Sequence, residues 1–121
     1  MSEAVFPIER LKIRPDFLAC ARAPSAARGA VVVQARDRAD ERPLVRLGFT
    51  ATRKIGNAVV RNRAKRRLRE AARLLAPLHG EAGRDYVFIA RGGTATRPWA
   101  RWLDEVTSAL IRLAADTDSR A

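Results

Sequence analysis

The chain has 121 residues, 47% of them hydrophobic, and a formal net charge of +11. That is the length of one domain, with apolar side chains enough for one modest core and too many for a disordered chain. No apolar run approaches the roughly 18–20 residues that span a bilayer, the first seven residues lack the basic and apolar segments of a secretory signal, and Cys20, the single cysteine, has no internal disulfide partner; these features point to the cytoplasm and away from membranes.

Residues 1–9 show no strong periodicity and are expected to fray. Pro15 suits the first turn of a helix, with Asp16 favourable beside the helix N-terminus. This short helix runs to about Arg22 and is stopped by Pro24. Ala30–Arg36 (AVVVQAR) is β-branched and reads as a strand. After a charged turn, Leu44–Thr52 alternates, with Val45, Leu47, Phe49 and Ala51 on one face and Arg46, Gly48, Thr50 and Thr52 on the other. That is the pattern of a half-buried strand, expected to pair antiparallel with the one before it.

Gly56-Asn57 breaks the chain and can cap a helix. From Ala58 to about Ala76 the apolar positions Val60, Ala64, Leu68, Ala71 and Leu75 share one stripe, and Asn62, Arg66, Arg69 and Arg73 lie opposite. Pro77 and Gly80 are expected to end it. Asp85–Arg91 reads as another strand. Pro98 opens a last helix with Trp99, Leu103, Val106, Leu110 and Leu113 as its apolar stripe; Trp99 and Trp102 both read as core. The order is αββαβα with room for a further short strand, in a single domain over 1–121 whose ends, 1–7 and 116–121, are expected to be loose. The general rule for a βαβ unit makes the crossover through 58–76 right-handed.

The charge is unevenly placed. Residues 1–52 carry nine basic and six acidic side chains, residues 53–73 nine basic and one acidic, and residues 74–121 six of each. Solvated helix faces mix signs; nine positives against Glu70 alone mark the footprint of a nucleic-acid binder. All but Lys12, Lys54 and Lys65 of the 24 basic residues are arginines, whose planar guanidinium suits bidentate phosphate contacts and base stacking. Arginine usage also follows a GC-rich genome, so the net charge carries the argument.

Catalytic chemistry is hard to find. His79 is alone in a turn rich in Pro and Gly. Asp37, Asp40 and Glu41 read as a soluble loop. Cys20 reads as a small core residue. No nucleophile–base set assembles, and no metal site or catalytic residue is assigned. If the chain takes part in catalysis, a partner supplies the reaction centre.

Residues 54–70, KIGNAVVRNRAKRRLRE, with Arg61-Asn62-Arg63 at their centre, resemble the signature of the bacterial ribonuclease P protein family. Arg10-Leu11-Lys12 followed by Phe17, and Asp85–Arg91 (DYVFIAR), are similar to its other two motifs. The resemblance implies an α+β fold, an α/β sandwich of order αβββαβα with a mixed, mainly four-stranded sheet (ribosomal protein S5 domain 2-like). It also implies a left-handed βαβ crossover, against the general rule. It implies the protein subunit of an endoribonuclease holoenzyme that removes the 5′ leader of precursor tRNA. The partners are then ribonuclease P RNA and precursor tRNA, with no obligate protein partner. The RNA subunit carries the chemistry and binds most of the Mg²⁺.

By the same resemblance Arg61, Asn62, Arg63, Lys65, Arg66 and Arg69 contact RNA. Arg10, Lys12, Phe17, Arg53 and Lys54 belong to a cleft that takes the single-stranded leader, for which stacking surfaces with positive charge are suited. Two roles stay open. Asn62 is an RNA contact or a local cap, and Phe17 is a stacking platform or core. The sequence also departs from the family where a second aromatic follows the Phe, here Ala21, and on the first strand, here Val31–Val33 and Gln34. Two other readings compete: an RNA-binding structural protein with a related sandwich, and a DNA-binding helix. A helix inside a βαβ unit is unlike the second helix of a helix-turn-helix.

Overall fold

A computed structural model describes residues 6–120, the last five as helical backbone only. The elements are β1 (Ile8–Arg10), α1 (Arg14–Ala21), β2 (Ser25–Arg28), β3 (Val31–Asp37), β4 (Val45–Thr50), a single 3₁₀ turn (Arg53–Ile55), α2 (Ala58–His79), β5 (Arg84–Ala90) and α3 (Trp99–Arg120). The expected loose ends fall partly on residues 1–5 and 121, outside the described residues.

One five-stranded mixed sheet runs in the order β1-β4-β5-β3-β2. The α+β class agrees with expectation; the strand count is five rather than four. The extra strand is β1, which overlaps the end of the stretch expected to fray. It pairs parallel with β4, Ile8 beside Val45 and Arg10 beside Leu47. Main-chain bonds from Val45 N to Pro7 O and from Leu11 N to Leu47 O, both 2.9 Å, extend that ladder. A three-residue edge strand has no periodicity to read. Its partner decides it.

The expected antiparallel pairing of β3 with β4 is not found. β5 lies between them, antiparallel to β3 and parallel to β4. The strand buried on both faces takes the middle: Asp85, Tyr86, Val87, Phe88 and Ala90 are all buried. β2, the short strand without a sequence signal, is the other edge, antiparallel to β3.

The alternation read in β4 holds. Val45 and Leu47 are buried against the α2 side with Phe49 packed beside them. Tyr86, Phe88 and Ala90 of β5 and Val31, Val33 and Ala35 of β3 join them, with Trp102, Val106, Ala109, Leu110 and Leu113 of α3. α2 contributes Leu68 and four alanines, Ala64, Ala71, Ala72 and Ala76. Small side chains let the helix lie close to its neighbours. Burying Leu68 contributes about 1.5–3 kcal/mol. The other face carries a smaller cluster, Leu11, Cys20 and Val87 with Phe17 and Ile89 packed on it, under α1.

Three differences in the helices have local causes. α2 passes through Pro77 to His79, because the ladder resumes with Gly80 N–H on Ala76 O at 2.8 Å; His79 is therefore the end of a helix, not a turn residue. Trp102 is fully buried, whereas Trp99 is 43% exposed and lies outside the core. α3 is pinned to the β2–β3 turn by Glu105, which accepts from Ala30 N at 2.9 Å and pairs with Arg97. Gly29, at φ 51°, makes room for that carboxylate.

Candidate nucleic-acid interface

The cationic run starts where the chain leaves β4. Gly56 takes φ 145°, and a Cβ there would stand 2.9 Å from Val60. Asn57 then caps α2, its side-chain oxygen accepting from Val60 N at 3.0 Å. One orphan donor of the first turn is satisfied this way. Since Asn57 is the cap, Asn62 is not; Asn62 is exposed and its side chain makes no hydrogen bond among the described residues.

From there the helical period sorts the charges. Arg61 is half-buried and folds back, donating to Gly56 O at 3.2 Å. Arg63, Arg66 and Arg69 are exposed and Lys65 half-buried. None of the four side chains has a hydrogen bond or ion pair among the described residues. Asn62, Arg63 and Arg66 with Val59 line a shallow cavity of about 310 Å³. Val59 itself is 67% exposed. Unneutralised guanidinium groups on one rigid helix attract phosphates, and they set position and orientation rather than sequence.

Arg67 sits in the same run and does something else. Its guanidinium lies over the ring of Trp99, 5.4 Å from the centroid, and donates to the carbonyl of Arg97. Trp102 Nε1 donates to the carbonyl of Arg67 at 3.2 Å. This arginine ties α3 to α2. Nothing in the sequence separates it from its neighbours.

Phe17 lies on the opposite face of the sheet, half-buried on Leu11 and Val87. Its ring covers Gly48 of β4. Of the first-strand positions that lack aromatics, Val31 and Val33 face the core; Val32 and Gln34 face the α1 side and are half-buried, as are Thr50 and Ile89. They form a floor beside Phe17. Lys12 is exposed just ahead of α1, and Arg53 and Lys54 are exposed in the 3₁₀ turn after β4.

Arg10 does not join them. It pairs with Leu47, so its side chain is on the α2 side, 5.0 Å over the ring of Phe49. The cleft grouping read from the sequence is split between the two faces of the sheet.

A buried ion cluster, invisible in the sequence, holds α1 in place. The Asp85 side chain is fully buried. It accepts from Arg38 at 2.8 Å and from Arg46 at 2.8 and 2.7 Å, with Arg36 at 3.5 Å. Arg36 and Arg46 stand beside Asp85 on the two neighbouring strands. Both also reach Asp16 of α1, at 3.7 and 3.2 Å. The hydrogen bonds to Asp85 raise the pKa of Arg46 further. Burial, then the nearby Asp85 charge, pushes the Cys20 thiol up to about 11. It is a protonated core side chain at neutral pH.

The acids of the 37–41 loop are engaged locally. Asp40 accepts from Arg38 Nε and Arg42 N, and Asp37 from Ala39 N. Among the described residues no three His, Cys, Asp or Glu side chains converge as a metal site, and no helix is long and apolar enough to cross a membrane.

A five-stranded mixed sheet with a row of exposed cations on one helix, and a half-buried aromatic on its other face, defines an α+β protein with one strongly basic helical surface. The chain belongs to the ribonuclease P protein family, whose model, described as ribonuclease P, matches residues 7–114. It is 65% identical over 120 residues to the ribonuclease P protein component of Caulobacter vibrioides, covering 98% of this chain and 80% of the relative. It is 53% identical over 108 residues to that of Ruegeria pomeroyi, covering 88% and 86%. Among solved structures, the Thermotoga maritima RNase P protein superposes with a TM-score of 0.72 at 29% identity, covering 85% of this chain and 96% of that one. The Staphylococcus aureus RNase P protein superposes with a TM-score of 0.71 at 28% identity, covering 86% and 94%.

Proposed function

We propose that this chain is the protein subunit of a ribonuclease P holoenzyme, an endoribonuclease that removes the 5′ leader of precursor tRNA. The observation that carries the proposal is the row of Arg63, Lys65, Arg66 and Arg69, free of protein partners among the described residues, on the helix that bears the family's signature. Its obligate partner is then an RNA rather than a protein, and its place of work the cytoplasm.

In this reading α2 docks on the catalytic RNA. Arg63, Arg66 and Arg69 bind phosphates, Lys65 adds a point charge, and Asn62 offers an amide that can donate and accept. Arg61 divides its donors between Gly56 O and the RNA. The leader lies across the other face, on Phe17 and the Val32–Ile89 floor, with Lys12, Arg53 and Lys54 along its phosphates. Base stacking and cationic side chains give binding that tolerates sequence. Arg10, on the α2 side, belongs with the RNA-subunit surface.

The magnesium of the reaction is assigned to the RNA subunit, where it would supply an activated water. Asp16 and Asp85, the acids nearest the arginines of the α1 side, are spent on ion pairs. The protein's residues neutralise phosphates and hold the leader, which strengthens metal binding by the assembled site.

Reconstitution tests the proposal. The protein is mixed with its cognate ribonuclease P RNA and 5′-labelled precursor tRNA at low Mg²⁺. Protein-dependent release of the leader at the mature 5′ end is expected. Tight RNA binding without stimulation would instead favour a structural RNA-binding protein.

A further inference from the structure

The α2 side of the sheet has a groove that the leader cleft and the signature helix do not account for. It lies between edge strand β1 and the flank of α2, with a volume of about 400 Å³. Its floor is apolar: Ile8, Phe49 and Pro77. Its rim is cationic: Arg10, Arg69 and Arg73. Ile8 is 39% exposed at the edge of the sheet and, with Phe49 and Pro77, extends the apolar floor to the surface. Phe49 is braced by Phe88, its register neighbour on β5, ring centroids 5.7 Å apart, and Arg10 is stacked on it.

Each part suits one ligand chemistry. A braced aromatic ring with a guanidinium above it is a platform for a flat π-system. Arg69 has no partner among the described residues. Arg73 is held by Glu70 at 3.0 Å, but both side chains are largely exposed, 66% and 46%. Such a pair contributes little and is easily exchanged for a phosphate. The groove is also continuous with the signature surface. Asn62, Arg66, Arg69 and Arg73 follow one another at helical spacing along one flank of α2. The first two line the neighbouring cavity, the last two this one.

We propose that this groove receives an unpaired nucleotide of the RNA subunit, its base stacked on the Arg10–Phe49 platform and its flanking phosphates bound by Arg69 and Arg73. The inference rests on the ribonuclease P reading. It commits to the RNA subunit rather than the leader because Phe17 and its floor lie on the other face of the sheet.

The test uses the full chain with its cognate RNA subunit carrying 4-thiouridine, and in parallel with precursor tRNA carrying 4-thiouridine only in the leader. Photocrosslinks from the RNA subunit to the peptides holding Ile8–Arg10 or Phe49 are expected, and none there from the leader. The Arg10→Ala/Arg73→Ala double variant should bind the RNA subunit about tenfold more weakly. Its log–log salt slope should fall by about 0.7, because one phosphate is no longer neutralised, and Arg73→Lys in place of Arg73→Ala should restore the slope alone. A double variant that binds like the unaltered protein, or crosslinks there from the leader only, overturns the inference while the parent reading stands. Failure of the unaltered protein to bind the RNA subunit at all overturns the parent reading instead.

Discussion

The ring of Phe17 lies directly on the backbone of Gly48: a Cβ at Gly48 would stand 2.6 Å from Cε1 and 2.8 Å from Cζ. Helix α1 and strand β4 thus meet through an aromatic seated where only glycine leaves room. Gly48→Ala should push Phe17 outward and cost about 1–3 kcal/mol of overpacking strain. Combined with Phe17→Ala, the cost should be less than additive, because the second change removes what the first collides with. Urea melts of the two single variants and the double variant measure this; additive losses would show that the two residues do not meet.

Phe17 is half-buried, so packing and stacking are both open to it. Phe17→Leu keeps apolar bulk and removes the aromatic face. At about 1–3 kcal/mol per stacked base, it should weaken leader-bearing precursor about fivefold or more. Mature tRNA, which has no leader, should bind as before. Equal loss for both substrates would leave Phe17 a core residue only. Titrating the holoenzyme with each RNA separates the two.

Arg66 is exposed on α2 with no partner among the described residues. Arg66→Ala should leave the unfolding free energy unchanged within about 0.5 kcal/mol, as surface changes do. It should lower affinity for the RNA subunit and reduce the salt slope by about 0.7–0.9. Arg67→Ala should behave oppositely, since it removes the Trp99 contact and the bond to Arg97 O. Its main effect belongs in the melt.

Asp85 is fully buried against Arg38 and Arg46. Asp85→Asn removes the one fully buried counter-charge that these two guanidinium groups share, leaving Arg46 only Asp16 and Arg38 only Asp40, and should destabilise the fold by about 3–5 kcal/mol. Asp40→Asn, in the exposed loop, should cost far less, because an exposed ion pair is screened by solvent. Chemical denaturation of both variants checks the contrast.

Burial raises the pKa of two core groups, Cys20 from 9.0 to about 11 and Tyr86 from 10.0 to about 12. The unfolded chain therefore gives up these protons at lower pH than the folded one. Their contribution is fully present below pH 9 and is lost as pH rises through about 11 and 12. Stability measured by urea should fall across that window. Cys20→Ala should reduce the slope between pH 9 and 11 while lowering the plateau slightly; an unchanged slope would place the titration elsewhere.

The periodic elements were legible in the sequence for plain reasons. The i, i+4, i+7 recurrence of Ala64, Leu68 and Ala71 can face only one way on a helix. That places Arg66, Arg69 and Arg73 opposite the core, whereas the engagement of Arg61 with Gly56 and of Arg67 with Trp99 was not readable. The alternation of Val45, Leu47 and Phe49 likewise assigns the two faces of β4. The motif over Lys54–Glu70 pointed to the family directly. Three residues at Ile8–Arg10 and four at Ser25–Arg28 are too short to carry a period, and their pairing with β4 and β3 makes them strands.

The sequence alone determined the helix and strand classes, the concentration of charge on one helix, and the family. Tertiary structure decided everything that depends on which strands are neighbours. β5 enters between β3 and β4 because it alone is buried on both faces. That one placement sets Arg36, Asp85 and Arg46 side by side, from positions far apart in the chain. The parallel pairing of β1 with β4 turns Arg10 away from Phe17 and onto Phe49. Sequence period gives the face of an element relative to itself; the face relative to the molecule is fixed only when partners and register are chosen.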